Sequence, residues 1–461
     1  MELPAGQWPA WASACCLGLL VCLLSLHVVE KLFVARTASQ RARPKAAVDE
    51  AFALFQRQYL VVYGLVMFAD WLQGTHMYSL YQSYDMNVGA LFLAGFLSSV
   101  LFGNFVGPLV DKHGRRKACL VYCAMEVSTI VINILENVPN MTVLLVGRVL
   151  GGISTSLLFS AFESWMVTEH RKRGFEEGLL GKTFALGSEI NGVVAVAAGL
   201  VAQVAADAVG DVGPFRAAVV VTAIAAAFVF SWSENYGSPT EDVPKEPQKV
   251  GISEDNGAKR DSGLLADAYA LGLCYSLFEG AMYVFVFLWY PTLESVVPNG
   301  ELPSGLVFSS FMLCIAIGGK LFALVDNTWV QEELLLLLTA ATSAVSLLLP
   351  TVRFGGVARC RRSFQPADKL CVVLVCVGLL SPCCATLRSR YFPKAELSTT
   401  LSLFRLPTNV LVVLGTGGAS YLTSDQLYYG CSAVLAIATG CAGKLVRASS
   451  TKATPRRKLK A

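Results

Sequence analysis

Thirteen runs of about 20 mostly apolar residues divide this chain, and that spacing leaves it very few folds. Such a run, coiled as helix, crosses the hydrocarbon core of a bilayer with its backbone hydrogen bonds satisfied internally. A soluble chain carries about a quarter charged residues. This one has 15% charged and 54% hydrophobic among 461 residues, with a mean hydropathy of +0.55. The reading is an all-α polytopic membrane protein. The formal net charge of +4 says little about nucleic acid, because the cations lie in the short loops that orient membrane helices. Most of the 14 cysteines, among them Cys15, Cys16, Cys22, Cys371, Cys376, Cys383 and Cys384, sit inside apolar runs. They read as small buried hydrophobes rather than a disulfide framework. Four histidines, none paired at metal-ligand spacing, give no metal and no cofactor to expect.

The first run covers 11–33. A signal peptide is the rival reading, but only Glu2 precedes the run and the cations follow it: Lys31, Arg36, Arg41, Arg43 and Lys45. That order favours an uncleaved helix with its N-terminus outside. Twelve runs follow, near 55–79, 88–110, 117–136, 142–167, 182–205 and 214–232, then 264–290, 304–325, 332–351, 369–390, 397–421 and 428–446. The polar stretch between the sixth and seventh, 233–263, is rich in Pro, Lys, Glu, Asp, Ser and Gly and reads as a flexible cytoplasmic linker. The organisation expected is an accessory helix in 1–34, six-helix halves in 35–232 and 264–446, and a basic cytoplasmic tail in 447–461.

Charge supports that layout. The loops at 34–54, 111–117, 168–182, 233–263 and 385–396 are basic or mixed, whereas those at 80–87, 137–141, 206–213 and 291–303 hold almost no cations. Arg353, Arg359, Arg361, Arg362 and Lys369 break the rule on the outer side. Asn140-Met-Thr142 is a glycosylation sequon close to the bilayer. Gly181-Lys182-Thr183 lacks the upstream glycine of a phosphate loop, since Glu176 stands there.

The most informative loop is Gly107-Pro-Leu-Val-Asp111-Lys-His-Gly114-Arg115-Arg116-Lys117. Gly107 lets a neighbouring helix come close, and Gly114 permits a tight turn. Asp111 can pair with a loop cation or with the positive end of another helix. Arg115, Arg116 and Lys117 hold the loop on the cytoplasmic side. The string resembles the loop between helices 2 and 3 of the major facilitator superfamily. That resemblance implies a 6+6 helix bundle, here with one extra N-terminal transmembrane helix, and a gate made by Gly107, Asp111, Gly114, Arg115 and Arg116.

Charges inside the apolar runs are few, and each costs about 2.5–3.5 kcal/mol at mid-bilayer unless it meets a partner or water. They are Asp70, Glu126, Arg148, Glu163, Glu189, Glu279 and Arg405, while Lys320, Arg388 and Arg390 lie near cytoplasmic ends and can snorkel. Arg148 and Glu163 are fifteen residues apart on one helix, roughly 22 Å, and cannot meet. Arg148 either pairs with Asp70 or binds an anion. Glu163, near the cytoplasmic end, is assigned to the gate. Arg405 precedes Pro407, which loosens the helix there. Glu279 has Gly280 beside it, and Asn191 faces a cavity or bridges helices.

Longer strings resemble the eukaryotic molybdate-anion transporter family. They are Phe68-Ala-Asp70-Trp71-Leu72-Gln73-Gly74, Leu145-Val-Gly-Arg148-Val-Leu-Gly-Gly-Ile-Ser-Thr155, Leu158-Phe-Ser-Ala-Phe-Glu163-Ser-Trp165, Phe278-Glu279, Phe308-Ser-Ser-Phe-Met312 and Phe404-Arg405-Leu-Pro407. The resemblance spans about 55–440 and is weakest over 332–395. It implies a secondary active transporter that moves molybdate, a tetrahedral dianion, into the cell by alternating access, with the plasma membrane as the default site. On physical grounds the substrate residues are Arg148, Arg405, Asp70, Glu279, Asn191 and Thr155: cations and neutral donors replace the anion's water. Asp70 and Glu279 hold the arginines in the empty site or carry a coupled proton. The partners implied are the oxyanion, the lipid bilayer and that proton, with no nucleic acid. The alternatives are a carrier of sulfate, an organic anion or a sugar, and a membrane sensor that has lost transport. No nucleophile and base stand together as an enzyme would need.

Overall fold

The computed structural model describes residues 8–38, 50–127, 138–236, 257–295, 297, 302–326, 330–348, 365–391, 397–419 and 421–453, and among them every regular element is an α-helix. Fourteen follow in order: α1 (Ala10–Ala38), α2 (Glu50–Gly74), α3 (Met77–Ser83), α4 (Val88–His113), α5 (Arg115–Val127), α6 (Met141–Lys172), α7 (Glu177–Val209), α8 (Gly213–Val229), α9 (Gly257–Glu294), α10 (Ser304–Asp326), α11 (Glu332–Leu348), α12 (Gln365–Tyr391), α13 (Leu397–Gly418) and α14 (Ser424–Ala453). Eight are long and apolar enough to cross a membrane, and the two arms of α4 count as a ninth.

Two bounds differ from the sequence expectation. α9 begins at Gly257, inside the polar stretch, because no proline interrupts the chain between Pro247 and Pro291. α14 runs to Ala453, so the first turns of the basic tail are helical. Residues 237–256, the end of the third bundle run at 128–137, most of the basic outer loop and the last eight residues lie outside the described residues.

Two compact units form. Unit 1 holds Met1–Gly18, Ala35–Val243 and Pro303–Met312; unit 2 holds Leu19–Val34, Pro244–Leu302 and Leu313–Ala461. In unit 1, α4 lies along α6, α2 along α7 and α8, and α5 against α6 and α8. Phe52, Phe55, Tyr59, Phe162, Trp165 and Trp232 form its aromatic core, in which the Trp165 and Trp232 rings stack with centroids 3.8 Å apart. The glycines after Arg148 serve close packing: a Cβ at Gly152 would stand 2.6 Å from the Ser98 hydroxyl of α4. In unit 2, α9 packs on α12, α13 and α14, and α11 on α12 and α14.

Local chemistry sets the ends. Asn87 caps α4 by accepting from the Ala90 amide at 3.0 Å. Asn140, the residue of the sequon, caps α6 by accepting from the amides of Thr142 and Val143. α4 bends by 54° between Gly103 and Phe105. Pro108 explains it, because it offers no amide hydrogen to the carbonyl four residues back.

Candidate functional site

A charged cluster sits among the membrane helices of unit 1. α2 supplies Asp70 and Gln73, α5 supplies Glu126, and α6 supplies Arg148 and Ser154. The Gln73 amide donates to Glu126 Oε2 at 2.8 Å, and the Ser154 hydroxyl donates to Oε1 at 2.6 Å. The Arg148 charge acts on both Asp70 and Glu126. Arg148 is also held from behind by α4: its Nε donates to the Leu91 carbonyl at 3.4 Å, and its Cζ stands 5.9 Å from the Phe92 ring centre. The room comes from Gly95, where a Cβ would lie 2.9 Å from Cζ. Arg148 thus lies within electrostatic reach of both carboxylates.

The other expected residues of unit 1 are placed apart. Asn191 accepts from the Trp71 indole at 2.8 Å and so bridges α2 and α7. The Thr155 hydroxyl turns back to the Gly151 carbonyl at 3.0 Å. Glu163 borders a cavity of about 110 Å3 lined by Tyr59, Tyr63, Phe162, Thr183 and Phe184.

At the loop end of unit 1, Arg115 is buried and grips Asp111 with Nη2 at 2.7 Å and Nε at 2.9 Å. It also donates to the Thr168 hydroxyl and to the Tyr236 carbonyl at 3.3 Å. Glu234 closes the start of α5, accepting from the Arg116 and Lys117 amides at 2.9 and 3.2 Å. Arg116 donates to the Phe230 carbonyl at 2.8 Å. Gly114 has φ +108°, a left-handed backbone that side chains resist, and a Cβ there would meet the Glu234 carboxyl at 2.8 Å. Among the described residues, no atom of a neighbouring element lies within 4 Å of where a Cβ on Gly107 would stand.

Unit 2 carries a second cluster. Glu279 of α9 accepts from the Tyr275 phenol at 3.3 Å and from the Thr408 hydroxyl of α13 at 3.4 Å. Arg388 lies in the last turn of α12, half-buried. Its Cζ lies 4.7 Å from the Tyr275 ring centre, and its Nε donates to the Cys384 carbonyl at 3.3 Å. The guanidinium thus meets an aromatic face one helix away. The side chain of Arg405 is outside the described residues. One residue before it, the Phe404 carbonyl accepts from the Ser276 hydroxyl, so α9 meets backbone near Pro407. Gly280 faces Leu411. At one end of the unit, Arg390 of α12 forms a two-point pair with Glu332 of α11 at 2.6 and 2.8 Å, and Tyr391 donates to Glu333 at 2.9 Å.

Sequence reasoning left Glu126, Gln73 and Arg388 out of the site. A signal existed for the first two: each is a polar residue inside an apolar run, and each needed a partner at its own depth.

Solved structures share this architecture. A peptide transporter POT in complex with sulfate aligns with a TM-score of 0.65 at 15% identity, over 86% of this chain and 94% of its own. The nucleoside transporter NupG aligns at 0.59 with 10% identity, over 85% and 99%. Identities this low speak for the fold alone. Helices of this length and composition define a multi-pass membrane protein. Residues 23–381 match a family described as sugar transporters with 12 transmembrane spans. The molybdate-anion transporter of Xenopus tropicalis is 32% identical over 403 residues, covering 86% of this chain and 85% of its own length. That of Takifugu rubripes is 33% identical over 428 residues with the same coverage. The chain belongs to the molybdate-anion transporter family of the major facilitator superfamily.

Proposed function

We propose that this chain carries a small tetrahedral oxyanion, molybdate, into the cell by alternating access of its two units, with a proton as the coupled ion, at the plasma membrane. The observation that carries the reading is the kinship with proteins named molybdate-anion transporters over 86% of the chain. Arg148 supports it. A guanidinium in a membrane bundle within electrostatic reach of two carboxylates can turn to an oxyanion and keep a negative charge nearby. Arg388 and Arg405 supply cations in unit 2, and Asp70 and Glu279 keep the arginines in place when no substrate is bound. Asp111, Arg115 and Arg116 serve the gate.

Coupling follows from charge. Bringing two negative charges inward against 100 mV costs about 4.6 kcal/mol, roughly a 2,000-fold bias against uptake. Co-transported protons remove it.

The test is uptake of labelled molybdate at nanomolar concentration by cells lacking their own carrier, with and without this protein, and with excess sulfate as competitor. Uptake that resists sulfate is expected. Uptake abolished by sulfate would make the chain a general oxyanion carrier. No uptake, with the protein shown at the cell surface, would refute the reading and leave the sugar or sensor alternatives.

A further inference from the structure

Two turns beyond the Arg148 cluster's Ser154, α6 presents a carboxylate of a different kind. Asp70 and Glu126 have Arg148 to balance them, and Glu126 has two donors besides. Glu163 stands at the rim of the 110 Å3 cavity, with aromatic rings on its walls, and among the described residues it pairs with no cation and accepts no hydrogen bond. It is also exposed at the surface of unit 1. An ionised carboxylate facing hydrocarbon is strongly disfavoured, so this face of α6 fronts water.

Every described neighbour leaves Glu163 unneutralised. From α2 come the phenols of Tyr59 and Tyr63, both near enough to feel its charge. From α7 comes Thr183, whose hydroxyl is already used: it accepts from Gln56 at 2.9 Å and donates to the Leu179 carbonyl at 3.1 Å. Lys182 and Glu189 of α7 are exposed and do not pair with it. α4 and α5 commit Asp111, Arg115 and Arg116 to one another and to the 229–236 segment, and Glu126 to Gln73 and Ser154.

We infer that Glu163 is the residue that carries the coupled proton, taking it from water on the side that supplies substrate and releasing it to water on the side that receives it. The inference rests on the proposed transport of an anion with a proton. Its logic is that of a site with one stable form per environment. With no hydrogen bond or ion pair to it among the described residues, the ionised form depends on water at the cavity mouth, and closing that mouth favours the neutral acid. One O–H bond is broken in hydronium and one formed on the carboxylate when the proton binds, the reverse happens when it leaves, and no other bond changes.

The test uses purified protein in liposomes with labelled molybdate, in two modes: tracer counterflow at equal pH, and uptake driven by a pH gradient. Wild type should counterflow, and should accumulate about tenfold more per pH unit of gradient for each proton coupled. Glu163→Gln should keep counterflow and gain nothing from the gradient. Gradient-driven accumulation by Glu163→Gln equal to wild type would overturn the assignment. Should that variant be inactive in both modes, Glu163→Asp must restore gradient-driven accumulation; failure of both variants marks a structural role and also overturns it. Infrared spectra give an independent readout. The C=O stretch of a protonated carboxyl, lost on alkalinisation, should be present in wild type and absent from Glu163→Gln. Absence of counterflow in wild type would instead sink the transport reading itself.

Discussion

Gly95→Ala tests the Arg148 cluster without touching a charge. The added methyl carbon would lie 2.9 Å from both Cζ and Nε of Arg148, with Nη2 closer still, whereas ordinary contact begins at 3.4 Å. The guanidinium must retreat by about 1 Å, and a misplacement of that size costs on the order of 10²-fold where geometry decides function. Stability works the other way. Crowding costs about 1–3 kcal/mol, and alanine in place of glycine returns about 0.8–1.0 kcal/mol of helix propensity, so the fold should survive. Gly103→Ala is the control, two turns along α4. Its methyl would meet only the Ser156 hydroxyl at 3.8 Å, and it gains the same propensity. Molybdate uptake by both variants, normalised to surface protein, is the assay. A strong loss for Gly95→Ala beside near-wild-type uptake for Gly103→Ala is expected. Equal uptake by the two, with both folded, would refute the idea that the position of Arg148 matters to transport.

Three further perturbations probe other parts. Glu234→Ala removes the acceptor at the start of α5 and should cost about 0.5–2 kcal/mol; faster amide exchange at Arg116 and Lys117 is the sign, and unchanged exchange there would discount the cap. Asp111→Ala should slow turnover far more than it weakens substrate binding, because it loosens Arg115 rather than the charged cluster; weaker binding with unchanged turnover would remove Asp111 from the gate. Asp211, in the α7–α8 turn, has its carboxyl pushed above the ordinary value of 3.8 by burial, with the Ser79 hydrogen bond opposing. The folded state therefore holds that proton more tightly than the unfolded one, so stability falls as pH rises from the ordinary carboxylate range through the raised value, then levels off. Asp211→Asn should flatten this part of a melting profile measured between about pH 4 and pH 7, and an unaltered profile would place the effect elsewhere.

The helices were legible because a bilayer admits so few alternatives. The Asp111–Arg115 pair was legible too, since four residues on one strand of chain can be judged from spacing alone. The contacts of Glu126 were not. They depend on how α2, α5 and α6 rotate about their axes, and an apolar run that is hydrophobic on every side does not disclose its inward face. The ring contact of Arg388 was hidden for a related reason: only the packing of α12 on α9 reveals the Tyr275 ring above which it lies. Glu234 was hidden in a polar stretch whose composition says linker, although its first residues are tied to the Arg115 amide and the Trp165 indole.

The loop ends of the two units obey opposite electrostatics. α11 opens on Glu332 and Glu333, and α12 closes with Arg388 and Arg390, so each charge there agrees with the dipole of its own helix. α5 opens on Arg115, Arg116 and Lys117 with no acid in its first turn, three cations set against the positive end of their helix. That frustration is quenched from outside the helix, by Asp111 and Glu234, and Asp111 is 49% exposed and open to screening by salt. Unit 1 is therefore closed at this end by borrowed charge, and unit 2 by its own.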